Sequence, residues 1–286
     1  MWIFLSLLCA WFVATTDALA KRELAGGDIL TLAWARMVFC APLLLCLVPL
    51  GKPPDDPAAF LFWVAITMPL EIFALILYMT ALKRSPLSLT VPFLAFTPVF
   101  LLGVGWLILG EKPGYEGVAG ALLISAGGWL LSARDGTRGL LAPLRNFAGE
   151  SGSVMMASVA LIYSLTACAG KKLILLSSPF FMAGVYFAIE AALLTALLAL
   201  LGRLRHARPI LSRRGVRAMG FTQMGEIATH SFAVTMAPVA YMIAVKRTSL
   251  IFGVLYGLLL FREAHARYRL PGAALMLAGV FVLTFF

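Results

Sequence analysis

The sequence predicts an all-α integral membrane protein with ten transmembrane helices, arranged as two inverted five-helix repeats. Three observations lead to this fold class. Of the 286 residues, 62% are hydrophobic and 13% are charged, and the mean hydropathy is +0.95, so the chain is far more apolar than a soluble domain. Apolar segments of about 20 residues, the length that crosses a bilayer, recur throughout the chain. The two halves also resemble each other.

Polar breaks between the apolar segments define the predicted elements. The longest polar segment, residues 134–152, divides the chain into a first five-helix repeat over residues 1–133 and a second over residues 153–286, with the segment itself as linker. The ten predicted helices cover approximately residues 2–20, 29–50, 58–82, 86–110, 115–133, 154–170, 178–201, 216–236, 238–261 and 268–286.

An internal duplication supports the division into repeats. Shifting the sequence by 152 residues, without a gap, superimposes three glycine pairs, one glutamate pair and the proline pair Pro86 with Pro238. Because each half holds five helices, an odd number, the second half enters the membrane in the opposite orientation. Transporters with inverted repeats bind substrate near the midplane and work by alternating access. The aligned pairs are Gly105 with Gly257, Glu111 with Glu263, Gly120 with Gly272 and Gly127 with Gly279.

Basic residues in the loops predict the orientation. Loops after odd-numbered helices hold sixteen Lys and Arg residues, whereas loops after even-numbered helices hold four. The positive-inside rule therefore predicts that both termini are extracytoplasmic, in a bacterial inner (cytoplasmic) membrane.

Several functional classes are disfavoured by the same sequence. The net charge of +10 arises mainly from residues in short gaps between apolar segments, so nucleic-acid binding is not expected. The four cysteines lie inside apolar segments without metal-type spacing, and no hydrolase, metalloprotease or phosphate-loop motif occurs. We expect no enzyme activity, no metal, no cofactor and no disulfide.

Two adjacent cations interrupt the ninth apolar segment. Lys246 and Arg247 lie about eight residues from its start, where an ionisable side chain costs roughly 2.5–3.5 kcal/mol and marks a cavity or pathway. One interpretation is capture of an anionic group, since Arg offers a planar fork and Lys a point charge. The alternative is a neutralising pair with Glu226 or Glu190.

A polar stripe is predicted on the eighth helix. Gln223, Glu226 and His230 follow at i, i+3 and i+7, so they share one face. Under the shift of 152, Glu71 and Tyr78 of the first half correspond to Gln223 and His230, and we expect both stripes to face the same central space.

The remaining buried charges have two interpretations. Glu226 with His230 forms either a proton-coupling pair or an internal ion pair or hydrogen bond. Glu190, Arg36 and Asp17 are candidates for the same coupling role or for internal ion pairs, with an ion pair that fixes packing favoured for Arg36.

The chain resembles the EamA-type ten-helix members of the drug/metabolite transporter superfamily. The resemblance rests on TALKRSPLSLTVPFLAFTPVFLLGVGWLILGEKP (Thr80 to Pro113), the GALLISAGGWLL that follows, and their echo FREAHARYRLPGAALMLAGVFVL. It implies a transporter with both termini in the cytoplasm, which differs from the orientation that the loop charges predict.

Within that superfamily, VKRTSLIFG (Val245 to Gly253) resembles the ninth-helix Lys-Arg segment of plastid sugar-phosphate/phosphate translocators. The resemblance implies that Lys246 and Arg247 bind phosphate. Those translocators have a second lysine in the fourth helix, where this chain has Leu94.

Together these observations predict a secondary transporter, an antiporter moving a small organic anion such as a phosphorylated metabolite. The alternatives are a proton-coupled exporter of amino acids or cationic compounds and a flippase for a phosphate-headgroup lipid. The expected partners are the small-molecule substrate and membrane lipids, with the chain as monomer or homodimer. The predicted binding residues are Lys246, Arg247, Glu226, His230, Gln223, Tyr78 and Glu71.

Overall fold

A computed structural model describes residues 1–84, 91–132, 151–261 and 270–285. These residues form α-helices joined by short connections, some of them 3₁₀ turns. The predicted linker over residues 134–152 lies almost entirely outside the described residues, as does Glu263. The helices are α1 (Trp2–Leu24), α2 (Ile29–Leu45), α3 (Pro57–Arg84), α4 (Thr97–Leu109), α5 (Tyr115–Ser132), α6 (Ser151–Leu176), α7 (Pro179–Leu200), α8 (Arg214–Ala233), α9 (Val239–Lys246), α10 (Ser249–Phe261) and α11 (Leu270–Phe285).

Length and composition identify the chain as an integral membrane protein. Within the described residues, α1, α3, α6, α7 and the stretch Val239–Tyr256 are long and apolar enough to cross a membrane. Shorter apolar helices accompany them, namely α2, the stretch Phe93–Leu109, Tyr115–Leu131 and α11. By contrast, α8 carries the polar stripe and does not meet the same criterion of hydropathy.

Two predicted helices are shorter than expected. The second was predicted to reach residue 50, but α2 ends at Leu45 and is followed by a 3₁₀ turn at Val48–Leu50, because Pro42 and Pro49 each remove a backbone donor. In the fourth predicted helix the described part begins as a 3₁₀ turn at Val91–Phe96, which leads directly into α4.

The ninth predicted helix is interrupted, which corrects the expectation of one helix over residues 238–261. It divides into α9 and α10 at Arg247 and Thr248. Here the backbone tightens: Thr248 N–H donates to Val245 O, and Leu250 N–H donates to Arg247 O, each at 3.0 Å. The break therefore falls directly at the cationic pair.

The end of α4 shows what the Gly-Glu motif does. Gly110 adopts φ 69°, a left-handed conformation that suits glycine, and its N–H closes the helix on Gly105 O and Trp106 O. The Glu111 carboxylate then pairs with Lys171 Nζ of α6 at 2.6 Å and accepts the backbone N–H of Val239 at 2.9 Å. Glu111 thus fixes the end of α4 to α6 and to the first turn of α9.

Helix packing follows a reciprocal pattern. The pairs α1 with α8 and α3 with α6 are among the most extensive contacts, and they exchange under the shift of 152 residues. The pair α4 with α6 corresponds in the same way to the pair α10 with α1. Helix α2 packs against α7, its own equivalent in the second half.

Glycines allow α5 and α11 to approach backbone to backbone. A Cβ on Gly120 would lie 3.1 Å from Gly279 O, and one on Gly127 would lie 2.6 Å from Gly272 O. The order of these contacts makes the two helices antiparallel. Gly120 aligns with Gly272 in sequence but contacts Gly279, whereas Gly127 aligns with Gly279 but contacts Gly272.

We expect Gly127→Ala to destabilise the protein by about 1–3 kcal/mol, because the new methyl group would overlap Gly272 O and Met276 N and separate α5 from α11. Thermal unfolding in detergent measures the effect. The matched control is Gly103→Ala in α4, where no atom lies within 4 Å of the added Cβ and the helix propensity gain is the same. Equal melting temperatures for the two variants would contradict the close approach.

Candidate functional site

A central cavity lies between the helices of the two halves. It holds about 150 Å³ of space, small beside the roughly 300–1,000 Å³ of typical ligand pockets. Among the described residues, its walls combine apolar side chains such as Val13, Leu75, Leu94 and Ile243 with an unusual set of charged groups. The ionisable lining residues are Asp17, Arg36, Glu71, Tyr78, Tyr163, Tyr186, Glu190, Glu226, His230, Lys246 and Arg247.

The predicted stripe on α8 faces this cavity. Gln223, Glu226 and His230 all line it, because their spacing places them on one side of the helix. Glu71 and Tyr78 of α3 line the same space, as expected from their correspondence with Gln223 and His230. Sequence spacing and the internal shift therefore identified side chains that the fold brings together.

Glu226 lies between two cations. Its Oε1 accepts a hydrogen bond from Lys246 Nζ at 3.0 Å, and its Oε2 lies 3.6 Å from Arg36 Nη2, an ion pair too long for a hydrogen bond. Lys246 Nζ also lies 3.5 Å from His230 Nδ1. Of the two neutralising carboxylates considered for Lys246, the structure places Glu226 beside it.

Arg36 joins α2 to the stripe. Its Nε donates a hydrogen bond to Gln223 Oε1, while its Nη1 is buried and has no hydrogen-bond partner. With 7% of its surface exposed, this guanidinium is held inside the protein. It therefore combines an ion pair to Glu226 with one nitrogen still free to bind an acceptor.

Arg247 lies at the break between α9 and α10. Its Nη2 donates to Thr97 Oγ1 at 3.0 Å, and this threonine is the first residue of α4. The Nε of Arg247 is buried without a partner. A buried, unpartnered donor of a charged group costs about 1–3 kcal/mol or more, so this nitrogen is suited to an anionic acceptor.

The other predicted charges lie on further walls of the cavity. Asp17 of α1 lines the cavity beside Tyr78, near enough for the two side chains to interact. Glu190 of α7 is 1% exposed, and its Oε2 has no hydrogen-bond partner. Glu71 lines the cavity near Thr166 of α6, within range for the two side chains to interact.

Sequence reasoning missed five polar residues of the cavity, which are Thr97, Tyr163, Thr166, Tyr186 and Ser231. Tyr163 packs near Tyr78 with ring centroids 6.3 Å apart. The spacing of Tyr163 and Thr166 at i and i+3 in an apolar helix was an available signal. For Thr97, the signal was its alignment with Ser249, which lies two residues after Arg247.

Comparisons with known proteins agree with this architecture. The EamA-like transporter family model matches residues 1–133. A protein crystal structure 19% identical in sequence matches with a TM-score of 0.69, covering 98% of this chain and 95% of that chain, and it supports the fold alone. No curated protein matches the chain. The sequence resemblance to EamA-type transporters is confirmed, whereas the resemblance to sugar-phosphate translocators stays a prediction.

Proposed function

We propose that the protein is a secondary transporter of a small organic anion, since the EamA-like transporter family model matches residues 1–133. The observation that carries the anion assignment is the pair of buried guanidinium nitrogens without partners, Arg36 Nη1 and Arg247 Nε. They belong to residues from opposite halves of the chain that line one cavity. An anion bound between them would satisfy both donors.

The size of the cavity restricts the substrate. A space of about 150 Å³ suits a compact solute rather than a drug-sized molecule. Carboxylate or phosphate oxygens match the planar fork of each guanidinium. We therefore propose a small carboxylate or phosphorylated metabolite, bound by Arg36 and Arg247 and flanked by Lys246, His230, Gln223, Tyr78 and Glu71.

We further propose that the two halves are inverted repeats and that transport proceeds by alternating access. Support comes from the reciprocal contacts: Gly120 with Gly279 and Gly127 with Gly272 are exchanged by the shift of 152 residues. An antiparallel pair related in this way has a local two-fold axis perpendicular to its helices, which is the relation expected of inverted repeats in a membrane. Rocking one half against the other would expose the cavity alternately.

We propose a bacterial inner membrane as the location of the protein, and the loop charges support an orientation with both termini outside. We retain this orientation as a proposal, although the family resemblance implies the opposite one.

The anion assignment is tested by a stability screen followed by counterflow. In detergent, small carboxylates, phosphorylated metabolites, amino acids, organic cations and soluble lipid headgroups are added to the purified protein, and melting temperatures are recorded. A ligand at 100 times its Kd stabilises the folded state by about 2.7 kcal/mol, so true substrates are expected to give clear shifts. Hits are then tested for counterflow in proteoliposomes preloaded with the same compound.

A second candidate is a proton-coupled exporter of amino acids or cationic compounds. It is favoured by the cavity's four carboxylates, Asp17, Glu71, Glu190 and Glu226, which outnumber its three Lys and Arg residues. Stabilisation by organic cations, without stabilisation by anions, would support the exporter and contradict the anion transporter. A response to intact lipid but not to its soluble headgroup would support a flippase.

A further inference from the structure

Two carboxylates that line the cavity, Glu71 and Glu190, do not bind the anion directly in the proposed site. Glu190 of α7 is the least exposed of the described charged residues, at 1%, and its Oε2 has no hydrogen-bond partner. Glu71 of α3 lines the same cavity and lies near enough to Glu190 for the two carboxylates to interact electrostatically. The pair joins one residue from each half of the chain.

Neighbouring groups do not neutralise both carboxylates. Lys246 and Arg36 are already paired with Glu226, and Arg247 is directed to Thr97. A buried, ionised carboxylate without a paired cation is costly, and two such groups close together repel each other. The pair is therefore most stable when it holds at least one proton. The ionisable groups around it are Arg36 and Cys40 of α2, Tyr163 of α6, Tyr186 of α7, Glu226 of α8 and Lys246 of α9.

The charged residues of the cavity predict how many protons Glu71 and Glu190 hold together. Arg36, Lys246 and Arg247 supply three positive charges, and the four carboxylates would supply four negative ones. One proton shared by Glu71 and Glu190, with His230 neutral, makes the empty cavity neutral. A monovalent anion adds one negative charge, which a second proton on the pair would cancel.

We propose that Glu71 and Glu190 form a proton-binding site, separate from the guanidinium groups that bind the anion, which carries one proton in the empty cavity and takes up a second when an anion binds. The proton arrives from the aqueous side as a hydronium ion, whose O–H bond breaks as an O–H bond forms at Glu190 Oε2, the unpartnered oxygen, leaving a neutral water molecule. This inference rests on the proposed function only in coupling the proton to an anion. The site makes the transporter proton-linked.

Infrared spectroscopy of the purified protein tests the site without any ligand. The wild type is expected to show the carbonyl stretch of a protonated carboxylic acid at neutral pH, and the band should shift in D2O because the cavity proton exchanges with water. Glu190→Gln and Glu71→Gln should each remove the band, since the three remaining carboxylates then balance the three cations. Glu116→Gln, a change at an exposed carboxylate in the first turn of α5, should leave it unchanged.

The outcomes separate this inference from the proposed function. A band that is absent in the wild type, fails to shift in D2O, or survives in both glutamine variants would overturn the proton site, even if anion counterflow were strong. A band that is lost in Asp17→Asn but retained in both Glu71→Gln and Glu190→Gln would assign the proton to Asp17 and overturn the proton site as well. An exchangeable band that needs both Glu71 and Glu190 supports the site, and a failed counterflow experiment would then contradict anion transport alone.

Discussion

Arg247→Ala is expected to reduce anion affinity about a hundredfold or more and to abolish counterflow. Truncating one member of a buried charge pair costs about 2–5 kcal/mol, and each 1.4 kcal/mol is a factor of ten in affinity. Here the guanidinium is 5% exposed, fixed by Thr97 on one side and unpartnered at Nε on the other. The measurement is the Kd of the anion that gives the largest melting shift with the wild type, followed by its counterflow in proteoliposomes.

Two control variants show whether the loss reflects binding. Arg205→Ala removes an exposed arginine from the short helix Leu204–Ala207 and should leave affinity unchanged. Arg247→Lys keeps the charge but loses the planar fork, so it should recover only part of the affinity. The fold should survive Arg247→Ala, because the side chain's charged hydrogen bond to Thr97 contributes only about 1.5–3 kcal/mol net. Unaltered affinity in a folded Arg247→Ala protein would refute Arg247 as an anion ligand.

The sequence predicted which residues line the cavity better than it predicted which of them form ion pairs with each other. Periodicity alone placed Gln223, Glu226 and His230 on one face, because helix geometry fixes which residues share a side. It could not show that Glu226 is shared by Lys246 and Arg36, since Arg36 lies on a helix far away in the chain. Which carboxylate meets which cation depends on how α2, α8 and α9 pack.

The break at Arg247 was also beyond local sequence reasoning. Neither Arg247 nor Thr248 is a proline or a glycine, the residues that usually interrupt a helix. The interruption coincides with the bond from Arg247 to Thr97, which is a contact between different helices. Tertiary packing, rather than propensity, therefore decides where this helix divides. By contrast, the close approach of α5 and α11 was readable in part from the aligned glycines Gly120, Gly127, Gly272 and Gly279.

The second large expected effect concerns Glu226, whose carboxylate pairs with both Lys246 and Arg36. Glu226→Gln is expected to destabilise the protein by about 3–5 kcal/mol, because removing one member of a buried ion pair leaves uncompensated charge. Two cations lose their counter-ion at once, Lys246 at 3.0 Å and Arg36 at 3.6 Å, and both lie inside the protein. Chemical or thermal unfolding in detergent measures the loss. The matched control is Asp55→Asn, which breaks the exposed pair with Lys52 and should change stability by less than about 1 kcal/mol.

A compensating change distinguishes uncompensated charge from altered packing as the cause. Adding Lys246→Met to Glu226→Gln removes one of the two isolated cations and fills similar volume, so it should restore part of the lost stability. Lys246→Met alone should cost less than Glu226→Gln, because Arg36 still accompanies Glu226. A double variant that is less stable than Glu226→Gln would show that Lys246 stabilises the fold through its stem rather than its charge. Recovery in the double variant would instead show that the stability lost in Glu226→Gln comes from the uncompensated charge of Lys246.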